Sequence, residues 1–101
     1  MAKAIVVTSS GRQITEDVLL AKSDEMARNP DLADSAMTLR RFNVSNPRGA
    51  ERANEVTIVE AVRMGAPLAI GGILAALTLD IGEAFENEVV RVERVSDKQV
   101  H

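Results

Sequence analysis

The feature that most constrains the fold is an uncharged stretch from Gly65 to Leu79. A membrane span needs roughly 18 to 20 apolar residues, so this stretch is too short, and we predict no membrane partner. Pro67 suits the first turn of a helix. Apolar side chains then recur at spacings of three and four residues, at Ile70, Leu74, Leu77, Ile81 and Phe85. This pattern predicts a helix that is covered on more than one side.

Two adjacent glycines, Gly71 and Gly72, interrupt this helix pattern, and each costs about 1 kcal/mol relative to alanine. Close approach of another backbone would explain them, and a helix that is kinked or begins late at Gly72 is the alternative. With 101 residues the chain has material for one domain, and a domain of this size often gains from association. We therefore predict a homo-oligomer, a dimer or larger. The predicted interface consists of Ile70, Gly71, Gly72, Leu74 and Leu77.

The N-terminal part of the chain predicts a strand followed by a helix. Residues 4–8 are mostly β-branched and end in serines and a glycine, which favours a short buried strand. Thr15 is a plausible N-cap for a helix from Glu16 to Arg28, because Pro30 disfavours helical backbone at the residue before it. The following residues, 31–35, are predicted to be a linker.

The rest of the chain predicts three further strands, at residues 36–44, 55–62 and 88–95. The first two flank a connection rich in Asn, Pro and Gly, which is typical of a hairpin with a long tip. A helix over residues 52–64 is the competing interpretation, since its valines also lie at near-helical spacing.

The predicted fold class is therefore α+β. The order βαββαβ indicates a ferredoxin-like two-layer sandwich, with two helices on one face of a four-stranded sheet. We predict one domain over residues 1–95 and a flexible C-terminal tail over residues 96–101.

Charge is distributed unevenly along the sequence. The net charge is -3, yet the segment from Arg40 to Arg52 carries +3, so the remainder carries -6. A basic arm on an acidic body can bind an anionic polymer at one place. We predict that the arm binds DNA or RNA with low sequence specificity; the alternative is a solvated loop whose arginines pair with Glu51 and Glu55. The arm's candidate nucleic-acid-binding residues are Arg40, Arg41, Arg48 and Arg52.

A second candidate anion site lies where the first strand ends, in the sequence "TSSGR". Ser9, Ser10 and Gly11 precede a predicted helix, whose first backbone amides favour anions, and Arg12 adds a positive charge. We predict anion binding by the first three residues and a phosphate contact by Arg12. The alternative is a polar turn that only caps the helix, because the lysine and glycine spacing of a P-loop is absent.

The composition offers little for catalysis. The chain has no cysteine, and its one histidine is the last residue, so we predict neither an enzyme nor a metal or cofactor site. Nothing in the N-terminal sequence indicates a secretion signal, and we predict a cytoplasmic protein. The carboxylates of the C-terminal half are predicted to be solvated surface groups. These are Glu60, Asp80, Glu83, Glu86 and Glu93.

Several segments resemble parts of the Alba-type chromatin and RNA-binding proteins. "AIVVTSSGRQITEDVLLAKSDEMARN" resembles their strand, Gly-Arg pair and second helix, "GGILAALTL" resembles the middle of their first helix, and "TLRRFNV" and "EVTIVEAV" are similar to their extended hairpin. The order is permuted, and the family's lysine pair has no match, since Arg63 and Ala66 stand near the proline. The resemblance implies a dimer that grips a nucleic-acid backbone with its central loops and reaches a groove with its hairpin tips.

Two other classes of function remain open from the sequence. A self-assembling structural or adaptor subunit, such as a phage or shell component, would use the same arm to contact a neighbouring chain. An enzyme or small-ligand sensor with its site at "TSSGR" is the third class, and it would have to rely on carboxylates alone.

Overall fold

The computed structural model describes residues 4–96, which form four helices and two antiparallel sheets. The predicted α+β class is confirmed at this level. The predicted tail lies outside the described residues except for Ser96. In chain order the elements are β1 (Ala4–Val7), β2 (Gln13–Thr15), α1 (Glu16–Arg28), α2 (Pro30–Leu39), β3 (Phe42–Ser45), β4 (Arg52–Val56), α3 (Ile58–Arg63), α4 (Ile70–Thr78), β5 (Ala84–Glu86) and β6 (Arg91–Arg94).

The ferredoxin-like arrangement is not what these strands form, because the sheet is split. The larger sheet has the order β4-β3-β6-β5, whereas among the strands of residues 4–96 β1 pairs only with β2. The split follows from a tight turn that the strand and helix patterns do not predict. Gly11 has a φ of 86°, and the Thr8 amide donates to the Arg12 carbonyl at 2.8 Å. The chain is therefore turned back on itself, and β2 pairs with β1 before α1 begins.

Helix α1 has the predicted bounds, Glu16 to Arg28. Thr15 is its N-cap, and the Thr15 hydroxyl accepts a hydrogen bond from the Val18 amide at 3.3 Å. This satisfies one of the amides that a helix start leaves without a partner.

Helix α2 occupies residues that were predicted as linker and strand, and both predictions are wrong there. Pro30 is its first residue. Proline has no amide hydrogen and a fixed φ, so it suits the first turn of a helix. Pro30 therefore ends α1 and also begins α2. The predicted strand over residues 36–44 is reduced to β3, which begins at Phe42.

Residues 52–63 divide into β4 and α3, so the predicted strand over 55–62 is wrong for most of its length and the competing helix is right from Ile58 onward. The chain changes from strand to helix at a capping box. The Glu60 amide donates to the Thr57 hydroxyl at 3.1 Å, and the Thr57 amide donates to the Glu60 carboxylate at 2.9 Å. Threonine followed three residues later by glutamate is a sequence signature of a helix start.

The apolar helix α4 is shorter than predicted. It ends at Thr78, and Phe85 lies in β5, an edge strand that the apolar spacing does not predict. The last strand, β6, is also shorter than the predicted 88–95 and pairs with both β3 and β5. The core is formed by side chains from both sheets and from the helices. Its largest fully buried members are Phe42, Ile14, Ile58, Leu77, Leu79, Val90 and Val92.

Candidate functional site

A buried carboxylate, Glu83, lies shortly after α4, and its residue is only 5% exposed. Its Oε2 atom accepts hydrogen bonds from the hydroxyls of Thr8, at 2.7 Å, and Ser10, at 2.5 Å. Its Oε1 atom accepts one from the Asp80 amide at 2.8 Å. The prediction that Glu83 is a solvated surface group is therefore wrong, because no local pattern indicates hydroxyl partners more than 70 residues away.

The guanidinium of Arg12 completes the shell around this carboxylate. Its Nη2 atom donates to Glu83 Oε1 at 2.6 Å, and its Nε atom donates to Oε2 at 3.1 Å. Such a two-point contact is the strongest geometry for an arginine and a carboxylate. Arg12, the Asp80 amide and the two hydroxyls together hold the pKa of Glu83 well below its usual range, although burial acts against them. Glu83 is therefore a fixed negative charge at neutral pH.

The "TSSGR" residues are brought together around this internal anion. Ser10 and Arg12 bind Glu83, while the Ser9 hydroxyl accepts a hydrogen bond from the Ala84 amide at 3.0 Å. Gly11 supplies the left-handed backbone that closes the turn. In the fold, the anion that these residues meet is the chain's own carboxylate. We call this group of contacts the Glu83 latch.

Three arginines bind carbonyl groups at the end of α4. Arg40 Nη1 donates to the Leu77 carbonyl at 3.0 Å, Arg12 Nη2 to the Thr78 carbonyl at 2.6 Å, and Arg94 Nη1 to the Leu79 carbonyl at 2.9 Å. The last turn of α4 has no basic residue of its own. Carbonyls at a helix C-terminus lack partners within the helix and favour positive charge. Two predicted nucleic-acid contacts, Arg12 and Arg40, thus have a structural role.

Arg41 is also engaged within the chain. Its Nη1 atom donates to the Glu55 carbonyl at 3.0 Å and lies 3.8 Å from the Glu60 carboxylate. Arg41 is therefore paired within the chain, but the acidic residue near it is Glu60, and its contact with Glu55 is through the backbone carbonyl.

The hairpin tip, residues 46–52, projects the other two arginines of the arm. Asn46 organises the turn: its side chain accepts from the Arg48 amide at 2.9 Å, and its own amide donates to the Glu51 carbonyl at 3.0 Å. The side chains of Arg48 and Arg52 are exposed and have no hydrogen bond or ion pair to any other described residue. A hairpin is present around the turn-rich connection, but its strands are β3 and β4 rather than the predicted 36–44 and 55–62. Two of the four arginines of the arm face solvent.

An open groove of about 450 Å³ lies beside the hairpin tip. Arg52 and Glu51 belong to its lining, and so do the exposed apolar residues Met64 and Val89. Residues 64–70, which we call the apolar segment, continue from the groove to the start of α4. This segment carries no charge, and Met64 is 63% exposed and Ile70 78% exposed.

The predicted oligomer interface is only partly accessible. Ile70 is exposed and Leu74 is half-buried, but Leu77 is 2% exposed and belongs to the core, so Leu77 cannot contact another chain directly. A Cβ atom added to Gly71 would meet nothing within 4 Å, and one added to Gly72 would meet only the Leu68 side chain at 3.5 Å. No other backbone of the described chain approaches these glycines.

Neither a metal centre nor a membrane span can be assigned within residues 4–96. No group of three His, Cys, Asp or Glu residues there is arranged to hold a metal ion, and none of the helices there has the length and apolar character needed to cross a membrane. Comparisons with protein families, with curated proteins and with solved structures give no significant match.

Proposed function

We propose that this chain is a self-associating subunit of a larger assembly, with a structural or adaptor role, and that the apolar segment forms part of the contact between copies. The observation that carries this proposal is the exposure of Met64 and Ile70 at the two ends of an uncharged run. Exposed apolar residues along one segment are a liability in water unless a partner covers them. Burial against another copy would contribute about 25 cal/mol for each Å² of apolar surface removed from water.

The adjacent glycines support the same proposal. Gly71 and Gly72 are the second and third residues of α4, and each lowers its stability by up to about 1 kcal/mol relative to alanine. No backbone of the described chain lies against them. A neighbouring chain that packs closely here would account for both glycines.

Sedimentation velocity over a wide range of protein concentration tests the proposal. Ile70→Lys places a charge within the apolar segment, and we expect it to shift the protein toward the monomer. Ile81→Lys is the matched control, because Ile81 is also exposed, at 60%, but lies in the turn before β5. A wild-type protein that stays monomeric at the highest concentration would refute the proposal, as would equal association of the two variants.

Nucleic-acid binding is the second candidate, and the observation in its favour is the pair of solvent-facing arginines at the hairpin tip. Phosphate binding needs only such charges, and the resemblance to Alba-type proteins implies the same use of a hairpin tip. Replacing both Arg48 and Arg52 with alanine should then weaken binding to mixed-sequence duplex DNA at low salt. The slope of log affinity against log salt should become shallower by about 0.9 for each phosphate that the variant no longer neutralises.

The positions of the arginines favour the assembly proposal over the nucleic-acid proposal. Arg12, Arg40 and Arg41 are held by carbonyls or carboxylates of the same chain. Of the five arginines predicted to bind nucleic acid, only Arg48 and Arg52 have side chains without a partner among residues 4–96. Nonspecific binding to duplex DNA at physiological salt generally rests on a larger number of neutralised phosphates.

A further inference from the structure

Helix α2 presents an outer face that joins acidic and leucine side chains. At 100° per residue, the exposed positions of the helix fall on one continuous arc. The acidic residues lie toward one margin of the arc and the leucines at the other. The α2 outer face consists of Asp31, Leu32, Asp34, Ser35, Thr38 and Leu39, all of which are exposed.

This face is unusual for so short a helix. Leu32 is 66% exposed and Leu39 is 62% exposed, whereas none of the ten residues of α2 is fully buried. A helix of this length depends on packing for its stability, since isolated helices shorter than about 12 residues are marginal in water. Met37 packs on the core from the opposite side of α2, and most of the surface of the two leucines stays uncovered within the described chain.

The carboxylates of this face are also unpaired. Asp31 and Asp34 form no side-chain hydrogen bond or ion pair with residues 4–96, and α2 contains no basic residue. Arg48 and Arg52 at the hairpin tip carry the opposite charge, and their side chains likewise have no partner among residues 4–96. They outnumber the one carboxylate of the tip, Glu51. Apolar side chains accompany the charges on both surfaces, because the groove beside Arg52 includes Met64.

We infer that the α2 outer face is the docking site for the hairpin tip and groove of a second copy of this chain. The inference rests on the proposed self-association and names the surface that meets the apolar segment. Arg48 and Arg52 of one copy lie against Asp31 and Asp34 of the next. The leucines of α2 cover the groove at Met64, which removes apolar surface from water on both chains.

This contact joins two different surfaces, so copies can make it in two ways. In a two-fold dimer each copy places its hairpin tip on the α2 outer face of the other, and both contacts form at once. In a head-to-tail arrangement one tip and one α2 outer face stay free, and further copies add to form a ring when the rotation closes and an open filament when it does not. The mass of the wild-type assembly in sedimentation velocity distinguishes a dimer from the larger forms.

Charge reversal on each surface separately, followed by mixing, tests the inference. The tip variant carries Arg48→Glu and Arg52→Glu, and the helix variant carries Asp31→Arg and Asp34→Arg. Each variant alone presents like charges at every contact, and we expect its dissociation constant to rise at least tenfold in sedimentation velocity. In a 1:1 mixture each reversed surface meets an opposite charge, and assembly should return.

Conservative variants at the same positions are the matched controls. Arg48→Lys with Arg52→Lys, and Asp31→Glu with Asp34→Glu, keep the charges and should assemble within about threefold of the wild type. Circular dichroism confirms that each variant folds.

The results of these experiments show whether self-association fails or only the inferred α2 contact fails. A monomeric wild type refutes self-association itself. A wild type that assembles while both reversed variants assemble equally well refutes only the α2 contact, and so does a mixture that fails to recover. If the tip variant loses affinity for DNA but keeps its assembly, the tip binds nucleic acid and the inference is wrong.

Discussion

Replacing Glu83 with glutamine should lower the free energy of unfolding by about 3 kcal/mol. Removing one partner of a buried ion pair costs about 3–5 kcal/mol. The low end applies here because the Arg12 side chain is 39% exposed, so water can partly solvate the guanidinium that loses its partner. A chain of this size has a total stability of about 5–15 kcal/mol, and the variant should therefore still fold.

The geometry of the latch explains why glutamine is a poor replacement. If the amide nitrogen occupies the position of Oε1, it faces two N–H donors, from Arg12 and Asp80. If it occupies the position of Oε2, the hydroxyls of Thr8 and Ser10 can rotate to accept, but the Arg12 Nε donor still has no acceptor. Either orientation leaves donors facing each other in a buried place.

Thermal and urea unfolding measure this effect. For a domain of this size, about 3 kcal/mol corresponds to a fall in Tm of roughly 12–24 °C. Glu88→Gln is the control, because Glu88 is exposed, has no partner among the described residues and should change stability by less than about 0.5 kcal/mol. A Glu83→Gln protein as stable as the control would refute the role assigned to the latch.

Protonation of Glu83 should make the free energy of unfolding depend on pH. The pKa of Glu83 is lower in the folded chain than in the unfolded chain, so at acidic pH the unfolded chain binds the proton more readily. The stability that Glu83 contributes is fully present above the unfolded pKa of about 4.3 and is lost as pH falls toward the folded pKa. The difference between wild type and Glu83→Gln should be constant from pH 7 to about pH 5 and shrink below that. A difference that does not change down to pH 3 would contradict this assignment.

Three further substitutions test other parts of the fold. Thr57→Ala removes the capping box of α3 and should cost about 1 kcal/mol in urea unfolding; an unchanged midpoint would mean that the cap is not needed. Glu55 is the one non-glycine residue of the described chain with a positive φ, 57°, so Glu55→Gly should raise Tm, with a gain of up to about 1 kcal/mol, and a lower Tm would argue against strain there. Gly71→Ala should raise monomer stability by up to about 1 kcal/mol while weakening association in sedimentation velocity, and a variant that associates normally would exclude close packing at Gly71.

Elements whose ends are set by local chemistry are the ones that the sequence predicts best. The bounds of α1 are correct because Thr15 caps its start and Pro30 prevents its continuation. The hairpin is recognisable from its turn residues. Helix α3 begins with a capping signature at Thr57 and Glu60. The segment is nevertheless predicted as a strand, because the residues between these two are β-branched and favour strands.

Local sequence patterns do not predict the contacts of the Glu83 latch. Ser10 and Arg12 carry a visible signal for an anion, but nothing in the sequence marks a carboxylate 71 residues away from Arg12 as that anion. Arg40 likewise looks like a free basic residue, since its acceptor, the Leu77 carbonyl, is a backbone group that every residue has. The number of charged side chains can be counted from a sequence. The partner of each charged side chain depends on which distant segments come together in the fold.

The distance between the two halves of the latch also has a consequence for synthesis. Arg12 is made 71 residues before Glu83, which at 5–20 residues per second is a delay of about 4–14 s. During that time the β1–β2 turn has its hydroxyls and guanidinium but not the carboxylate that they bind in the fold, and α4 is also made before Glu83. The N-terminal hairpin therefore gains its anchor only after the 70 residues between Arg12 and Glu83 have been made, so the earlier segments cannot complete this part of the fold as they emerge.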